Sequence, residues 1–198
     1  MTPGLLLVIS GPSGVGKGTI CKALQTLDPT IYLSISMTTR PPREGEVEGR
    51  EYYFTSEAHF RELLTRGQLL EWARVYDFYY GTPKKAVTEA QTAGRDVLLE
   101  IDVQGGLKVK ENCPESILIF VLPPSLDELS RRLAYRNTEN KDQVSVRLRW
   151  AEKELHCYKQ YDYAIVNDRV ENAVSKIQAI IAAEKCRPRY LEDLWPVP

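Results

Sequence analysis

The chain has 198 residues, with 26 Lys and Arg set against 27 Asp and Glu for a formal net charge of −1. That length fits one globular domain with insertions, and such a chain buries about 70% of the surface that its unfolded form exposes. The near-neutral balance gives no global basic field for nucleic acid, so any anion must be caught by local clusters.

The apolar run Leu5 to Ile9 reads as a buried strand. Gly11-Pro12-Ser13-Gly14-Val15-Gly16-Lys17-Gly18-Thr19 follows, and then Ile20, Ala23, Leu24 and Leu27 at the spacing of one helix face. Strand, Gly-rich loop with lysine, then helix is the context of a phosphate-binding P-loop. Glycines let the backbone N–H groups converge on one anion, and the helix adds its positive end. Lys17 supplies a full charge for the terminal phosphates of a nucleotide. The residue after the lysine is ordinarily Ser or Thr for magnesium; here it is Gly18, with Thr19 next. Adenylate kinases show the same Gly-Lys-Gly-Thr. Mg2+ is therefore expected to be held through water and phosphate oxygens, with Thr19 the one candidate for direct ligation.

Ile31 to Ser36 alternates like a strand and leads into an extended polar loop, residues 37 to 46, stiffened by Pro41 and Pro42. Arg40 and Arg43 on that loop suit an anion, although a solvated basic loop would read the same. Tyr52 to Phe54 is a short strand, and Ser56 caps a helix to Arg66 that buries Phe60, Leu63 and Leu64 and stops at Gly67. Leu69 to Val75 is strand-like and carries Glu71, which as a bare edge-strand residue could face solvent. Tyr76 to Pro83 reads as an aromatic turn.

A helix from Lys84 to Ala93 ends at Gly94, and Val97 to Asp102 is an apolar run with acids only at its end. A central parallel strand delivers carboxylates to its C-terminal edge in this way, where open α/β sheets bind ligands. Asp102 also fits a helix cap. Ile117 to Leu122 is a further strand, stopped by Pro123 and Pro124. Ser125 caps a helix with Leu126, Leu129 and Leu133 on one face and Arg131, Arg132 and Arg136 on another. A polar gap at 137–140 precedes a helix with Val144, Arg147, Leu148 and Leu155. A last strand, Tyr163 to Val166, ends in Asn167-Asp168, and a helix runs from Glu171 to Lys185. The tail from Cys186 should be extended, pinned by Leu194 and Trp195.

Cys21, Cys113, Cys157 and Cys186 lie far apart and read as free thiols of a reducing compartment. His59 and His156 form no metal-ligand spacing. No signal peptide is evident and no apolar run is long enough to span a bilayer, so the expectation is bulk cytosol with no membrane partner.

The fold class expected is α/β, with one core sheet interrupted twice. Seven stretches together resemble the guanylate kinases: 10–17, Thr-Thr-Arg-Pro-Pro-Arg-x-Gly-Glu at 38–46, Gly-x-x-Tyr-x-Phe at 49–54, Glu-Trp-Ala at 71–73, Tyr-Tyr-Gly-Thr at 79–82, Glu-Ile-Asp-Val-Gln-Gly at 100–105, and Val-Asn-Asp at 166–168. They occur in family order from about Leu7 to Asp168. The resemblance implies a P-loop nucleotide kinase fold: a parallel-sheet core (1–36, 83–124, 157–198), a GMP-binding insertion (37–82) and a helical lid (125–156). It implies transfer of the γ-phosphate of ATP to GMP, and to dGMP, with Mg2+. Carried over residue by residue, Gly11 to Thr19 and Asn167 would bind ATP. Arg40, Arg43, Tyr52 and Tyr80 would bind the GMP phosphate, with Glu46 beside them. Ser36, Glu71 and Thr82 would read guanine, with Glu100 and Asp102 near the acceptor; Glu100 stands where some relatives have Asp. Arg132, Arg136 and Arg147 would join Lys17 in catalysis. Asn137 replaces a usual glycine in the lid loop.

Base choice follows from hydrogen-bond sense: a carboxylate accepts from guanine N1–H and N2–H, whereas adenine presents an acceptor at N1. The partners expected are small nucleotides, with the oligomeric state, monomer or homodimer, left open. Two other readings compete. One is the phosphopeptide-binding module of scaffold proteins, whose phosphate loops are eroded. The other is a kinase of a different nucleoside or sugar phosphate.

Overall fold

Residues 3–75, 77–135 and 141–190 are described by the structure, a computed structural model. The first half of the chain forms β1 (Leu6–Ser10), α1 (Lys17–Leu27), β2 (Tyr32–Leu33), β3 (Met37–Thr38), β4 (Tyr53–Phe54), α2 (Glu57–Thr65), β5 (Leu69–Val75) and β6 (Phe78–Pro83). The second half forms α3 (Lys84–Thr92), β7 (Val97–Glu100), α4 (Val103–Asn112), β8 (Ile117–Leu122), α5 (Leu126–Tyr135), α6 (Lys141–Leu155), β9 (Tyr163–Val166) and α7 (Val170–Lys185).

Two sheets result. The larger has the order β2-β7-β1-β8-β9, and every pairing in it is parallel. β1 lies at its centre and is buried at every position, which is why it reads as an unbroken apolar run. Neighbours on a strand point to opposite faces. Leu7 and Ile9 therefore pack with Ile20 and Leu24 of α1 and Ile177 of α7, while Leu6 and Val8 pack with Val87 of α3, Val109 of α4 and Tyr161 on the other face. Burying each such side chain contributes about 1.5–3 kcal/mol, so the central strand is firmly fixed from both faces. The parallel arrangement puts the C-terminal ends of β1, β7 and β9 along one edge, where residues 10–11, 100–102 and 167 emerge.

The smaller sheet, order β4-β3-β6-β5, is built wholly from residues 37–83. β5 and β6 form an antiparallel hairpin, with Glu71 opposite Thr82 and a bulge between Leu69 and Glu71. Tyr79 stacks on the buried Phe60 of α2 with ring centres 5.5 Å apart, seating that helix on the sheet. α5 and α6 pack on each other through a separate small cluster of Leu129, Leu133, Leu148 and Ala151.

Five points of the sequence reading are corrected. The aromatic stretch expected as a turn is mostly strand: Phe78–Pro83 is a six-residue strand held between β3 and β5, where cross-strand pairing outweighs the turn propensity of Gly81 and Pro83. Ile31 to Ser36 is not one strand. Only Tyr32–Leu33 joins the core sheet, and the chain then crosses to the other sheet at Met37–Thr38. Helix α4 has no counterpart in the sequence reading, and Asp102 caps it, accepting the Gly105 N–H at 2.9 Å. The tail turns through a 3-10 segment, Pro188–Tyr190, instead of running extended. Leu27, expected on the apolar face of α1, is 65% exposed. The caps at Ser56 and Ser125 form as expected, accepting N–H bonds from His59 and Glu128. Arg136, Asn137, Leu194 and Trp195, and the side chain of Val144, lie outside the described residues. All four cysteines are free, and no helix among the described residues is long and apolar enough to cross a membrane.

Candidate active site

β1 ends at Ser10, and the loop 11–16 turns its backbone back toward the start of α1. Gly16 is the N-cap residue with φ of 98°, a left-handed value that a β-carbon would strain. A side chain there would also meet Asn167 Nδ2 at 2.6 Å. That amide donates to the Val15 carbonyl at 2.8 Å, so Asn167, buried at the end of β9, braces the loop from behind. Lys17 Nζ folds over the loop and donates to the carbonyls of Gly11 (2.6 Å) and Pro12 (3.2 Å). Burial holds its pKa below the ordinary lysine value, against the opposing charges of Glu100, Glu154 and Asp102. Gly18 has a packing reason as well: a β-carbon there would lie 3.1 Å from Glu100 Oε1, in the space where a serine or threonine side chain would sit. Thr19 is exposed and faces the cleft.

The cleft is a cavity of about 720 Å³ that runs from the loop to the smaller sheet. Gly11, Ser13, Gly14, Gly16, Lys17, Gly18 and Thr19 line one end; Ser36, Arg43, Tyr52, Glu71 and Tyr80 line the other; Glu100 and Asp102 form the floor between them. Arg40 does not line it. Its guanidinium is buried and held by the Tyr80 hydroxyl (3.3 Å), the Pro41 carbonyl (2.7 Å) and Glu46 (2.9 Å), over the Tyr52 ring. Glu46 also accepts the Arg43 N–H at 2.8 Å. Burial alone would raise its pKa, but the bonds from Arg40 and Arg43 hold it below the usual carboxylate value. Glu46 thus braces both arginines. Burial pushes the Tyr52 hydroxyl up to about 12, with Glu100 adding to the effect, so it stays protonated.

Glu71 is 4% exposed, not a surface acid. Thr82, its cross-strand neighbour, donates its hydroxyl hydrogen to Glu71 Oε1 at 2.7 Å and is itself fully buried. On the other side, Gly105 gives Glu71 its room: a β-carbon there would lie 2.8 Å from Oε2 and 3.0 Å from Asp102 Oδ1. Gly105→Ala should therefore displace the Glu71 carboxylate and weaken any ligand held by it about tenfold, with ligands of the loop 11–19 unaffected; titration calorimetry reads the difference. Burial raises the Glu71 pKa to about 7, opposed by the Thr82 bond and reinforced by Asp102. Asp102 is raised too, chiefly by burial, although the Gly105 N–H and the charge of Lys17 pull it down.

The α6 wall of the cleft carries Val146, Arg147, Trp150 and Glu154. Arg147 donates to the Ser13 hydroxyl. The Ser13 backbone N–H bonds Glu154, whose pKa is nonetheless raised by burial. Arg132 of α5 faces the back of the loop, donating to Glu128 (2.9 Å) and to the carbonyls of Val15 (3.3 Å) and Asn167 (3.2 Å). Sequence reading missed Glu154 and Trp150. Their spacing from Arg147, three and seven residues, is that of one helix face and was the available signal. Among the described residues no group of three or more His, Cys, Asp or Glu is placed to hold a metal.

A phosphate loop at the edge of a parallel sheet, sharing one cleft with a second pocket built around a buried acid, defines a P-loop kinase of small acceptors. The guanylate kinase family model matches residues 4–184, and the chain belongs to that family. The guanylate kinase of Caldanaerobacter subterraneus subsp. tengcongensis is 53% identical over 192 residues, 97% of this chain and 93% of its own length. That of Clostridium acetobutylicum is 54% identical over 190 residues, 96% and 90% of the two chains. A crystal structure of guanylate kinase from Anaplasma phagocytophilum matches with a TM-score of 0.80 at 32% identity, covering 100% of this chain and 98% of that one. A shikimate kinase from Bacteroides thetaiotaomicron shares the fold alone, with a TM-score of 0.52 at 18% identity over 90% of this chain and 98% of its own.

Proposed function

We propose that ATP lies with its phosphates on the loop 11–19 and GMP lies between the smaller sheet and the floor, end to end in the cleft. The reaction is that of the family: the γ-phosphate of ATP passes to GMP, giving ADP and GDP. The observation that supports this placement best is continuity, since Lys17 and Glu71, from opposite ends of the fold, line the same cavity.

The acceptor is a phosphate monoester with a second pKa near 6, so around pH 7 it is mostly a dianion and needs no general base. The difficulty is to bring two polyanions into line, which is a matter of positioning and of cations where charge develops. Lys17 serves the donor phosphates. Arg43, Tyr52 and Tyr80 take the acceptor phosphate, with Arg40 behind them held by Glu46. Arg147 and Arg136 serve the transferring group, while Arg132, on the far side of the loop, supports it by holding the Val15 and Asn167 carbonyls. Glu71 accepts from guanine N1–H and N2–H. Because Thr82 gives its hydrogen to Glu71, the task of donating to O6 falls to Ser36. Asn167 acts through the loop it braces. Mg2+ suits this end of the cleft: the Thr19 hydroxyl is a hard oxygen facing it, the Glu100 and Asp102 carboxylates line the floor, and waters and phosphate oxygens would fill most of the coordination shell. When bound, it would neutralise charge on the donor phosphates. Residues 37–82 form the acceptor-binding insertion, 125–156 the lid and the remainder the core, in line with the separate sheet and the separate α5–α6 cluster. Unpaired cysteines suit the cytosol.

The direct test compares GMP, dGMP, AMP and UMP as acceptors by ADP release from ATP. Turnover with the two guanine nucleotides and little with the others is expected; equal use of AMP would overturn the base reading. The pH dependence gives an independent check. With its pKa near 7, Glu71 is protonated in the empty site below neutrality, and guanine's two donors favour the carboxylate. GMP binding should therefore tighten as pH rises through about 7, release a proton near that pH, and level off above it, with a slope of up to about tenfold per pH unit below. For the empty protein the sign is opposite. The raised pKa contributes stability that is full below the unfolded value and lost as pH rises through about 7. Calorimetry in buffers of different ionisation enthalpy counts the proton, and Glu71→Gln should abolish it.

A further inference from the structure

β5 is the outer strand of its sheet, so its outward carbonyls need partners other than a neighbouring strand. Two of them find side chains of α4. Lys108 Nζ donates to the Trp72 carbonyl at 2.6 Å, and Asn112 Nδ2 donates to the Leu70 carbonyl at 3.0 Å. The periods agree: four helical residues rise about 6 Å, and two strand residues span about 6.8 Å. The Lys108 ammonium also lies 4.4 Å from the centre of the Trp72 ring. Glu71 sits between the two anchored carbonyls. One turn back on the same helix, Gly105 leaves the gap that Glu71 Oε2 occupies, and Asp102 caps the end. Asp102, Gly105, Lys108 and Asn112 form one stripe at three- and four-residue spacing.

We propose that Lys108 and Asn112 are positioning residues for the acceptor base: they lock the register of β5 against α4 and so set where Glu71 stands. This rests on the assignment of Glu71 as the guanine reader. The smaller sheet carries the acid, and a helix of the larger layer decides its place. The two side chains touch neither nucleotide; they act through the strand, and the Lys108 charge also favours the Glu71 carboxylate across the same gap.

Lys108→Met keeps the stem over Trp72 and removes the donor. It should raise the GMP KM about tenfold, the worth of one lost hydrogen bond to a charged donor, with kcat and the ATP KM changed less than about twofold. Preference for GMP over IMP, which lacks the N2 amine, should fall as Glu71 loses alignment. Lys108→Arg, which restores a donor, should recover most of the GMP KM, and Asn112→Ala should act in the same direction as Lys108→Met. Parental GMP KM and GMP/IMP preference in Lys108→Met, alongside loss of both in Glu71→Gln, would overturn the proposal and leave Glu71 as the reader. Equal loss for GMP and ATP with a lowered melting temperature would mark a general structural role and also overturn it. If Glu71→Gln itself keeps both properties, the base reading fails and this proposal falls with it.

Discussion

Lys17→Met should lower the rate of GMP phosphorylation roughly a thousandfold, in the range seen when one preorganised cation or donor is taken from a charge-developing site. The substitution keeps the alkyl stem and removes only the charge, so the fold should survive. Lys17 Nζ is anchored on the Gly11 and Pro12 carbonyls, and burial disfavours its charged form, so the melting temperature should hold or rise. The ammonium already lies over the anion-binding turn and need move little to meet a phosphate. ADP release in a coupled assay with ATP and GMP measures the loss. A variant turning over at the parent's rate would remove the electrostatic account of the cleft.

The second large effect is expected at Glu71. Glu71→Gln preserves shape and can still accept the Thr82 hydrogen, but it turns one acceptor into a donor pair facing guanine's own donors. Sites built to hydrogen-bond a substrate discriminate by ~10⁴ or more when a polar group is left unmatched. With one of two bonds lost, kcat/KM for GMP should fall by about 10³, with the ATP KM within about threefold of the parent. The asymmetry is the result that matters. Equal loss on both substrates in steady-state kinetics would show that Glu71 holds the fold and does not read the base.

Much of this site was legible because its chemistry is local in sequence. The loop 11–19 is contiguous, and the apolar strand before it and helix after it fix its meaning without tertiary information. Glu71 was recognisable as a residue, but its environment was not. Its burial and its bond to Thr82 depend on the β5–β6 register, which was hidden while Phe78–Pro83 read as a turn. The aromatic run with Gly81 and Pro83 looks like punctuation, and only pairing on both sides makes it a strand. Helix α4 was hidden for a packing reason. Two adjacent glycines each cost a helix about 1 kcal/mol, yet Gly105 makes room for Glu71 and Gly106 lies against Tyr161 and Ser10. Nor could sequence say which arginine of the 38–46 stretch faces the cleft. Arg40 and Arg43 have the same chemistry, and burial alone separates the guanidinium held by Glu46 from the one that lines the cleft.

The approach of Gly18 to Glu100 ties two distant positions together. A hydroxyl-bearing side chain after the lysine would crowd the Glu100 carboxylate, whose oxygens lie 3.1 and 3.3 Å from where its β-carbon would be and would have to give by a few tenths of an ångström. Shortening Glu100 to aspartate withdraws that carboxylate by about one carbon–carbon bond, 1.5 Å. Bulk added at position 18 is therefore best accommodated when Glu100 is shortened as well, whereas shortening Glu100 alone leaves a gap and no clash.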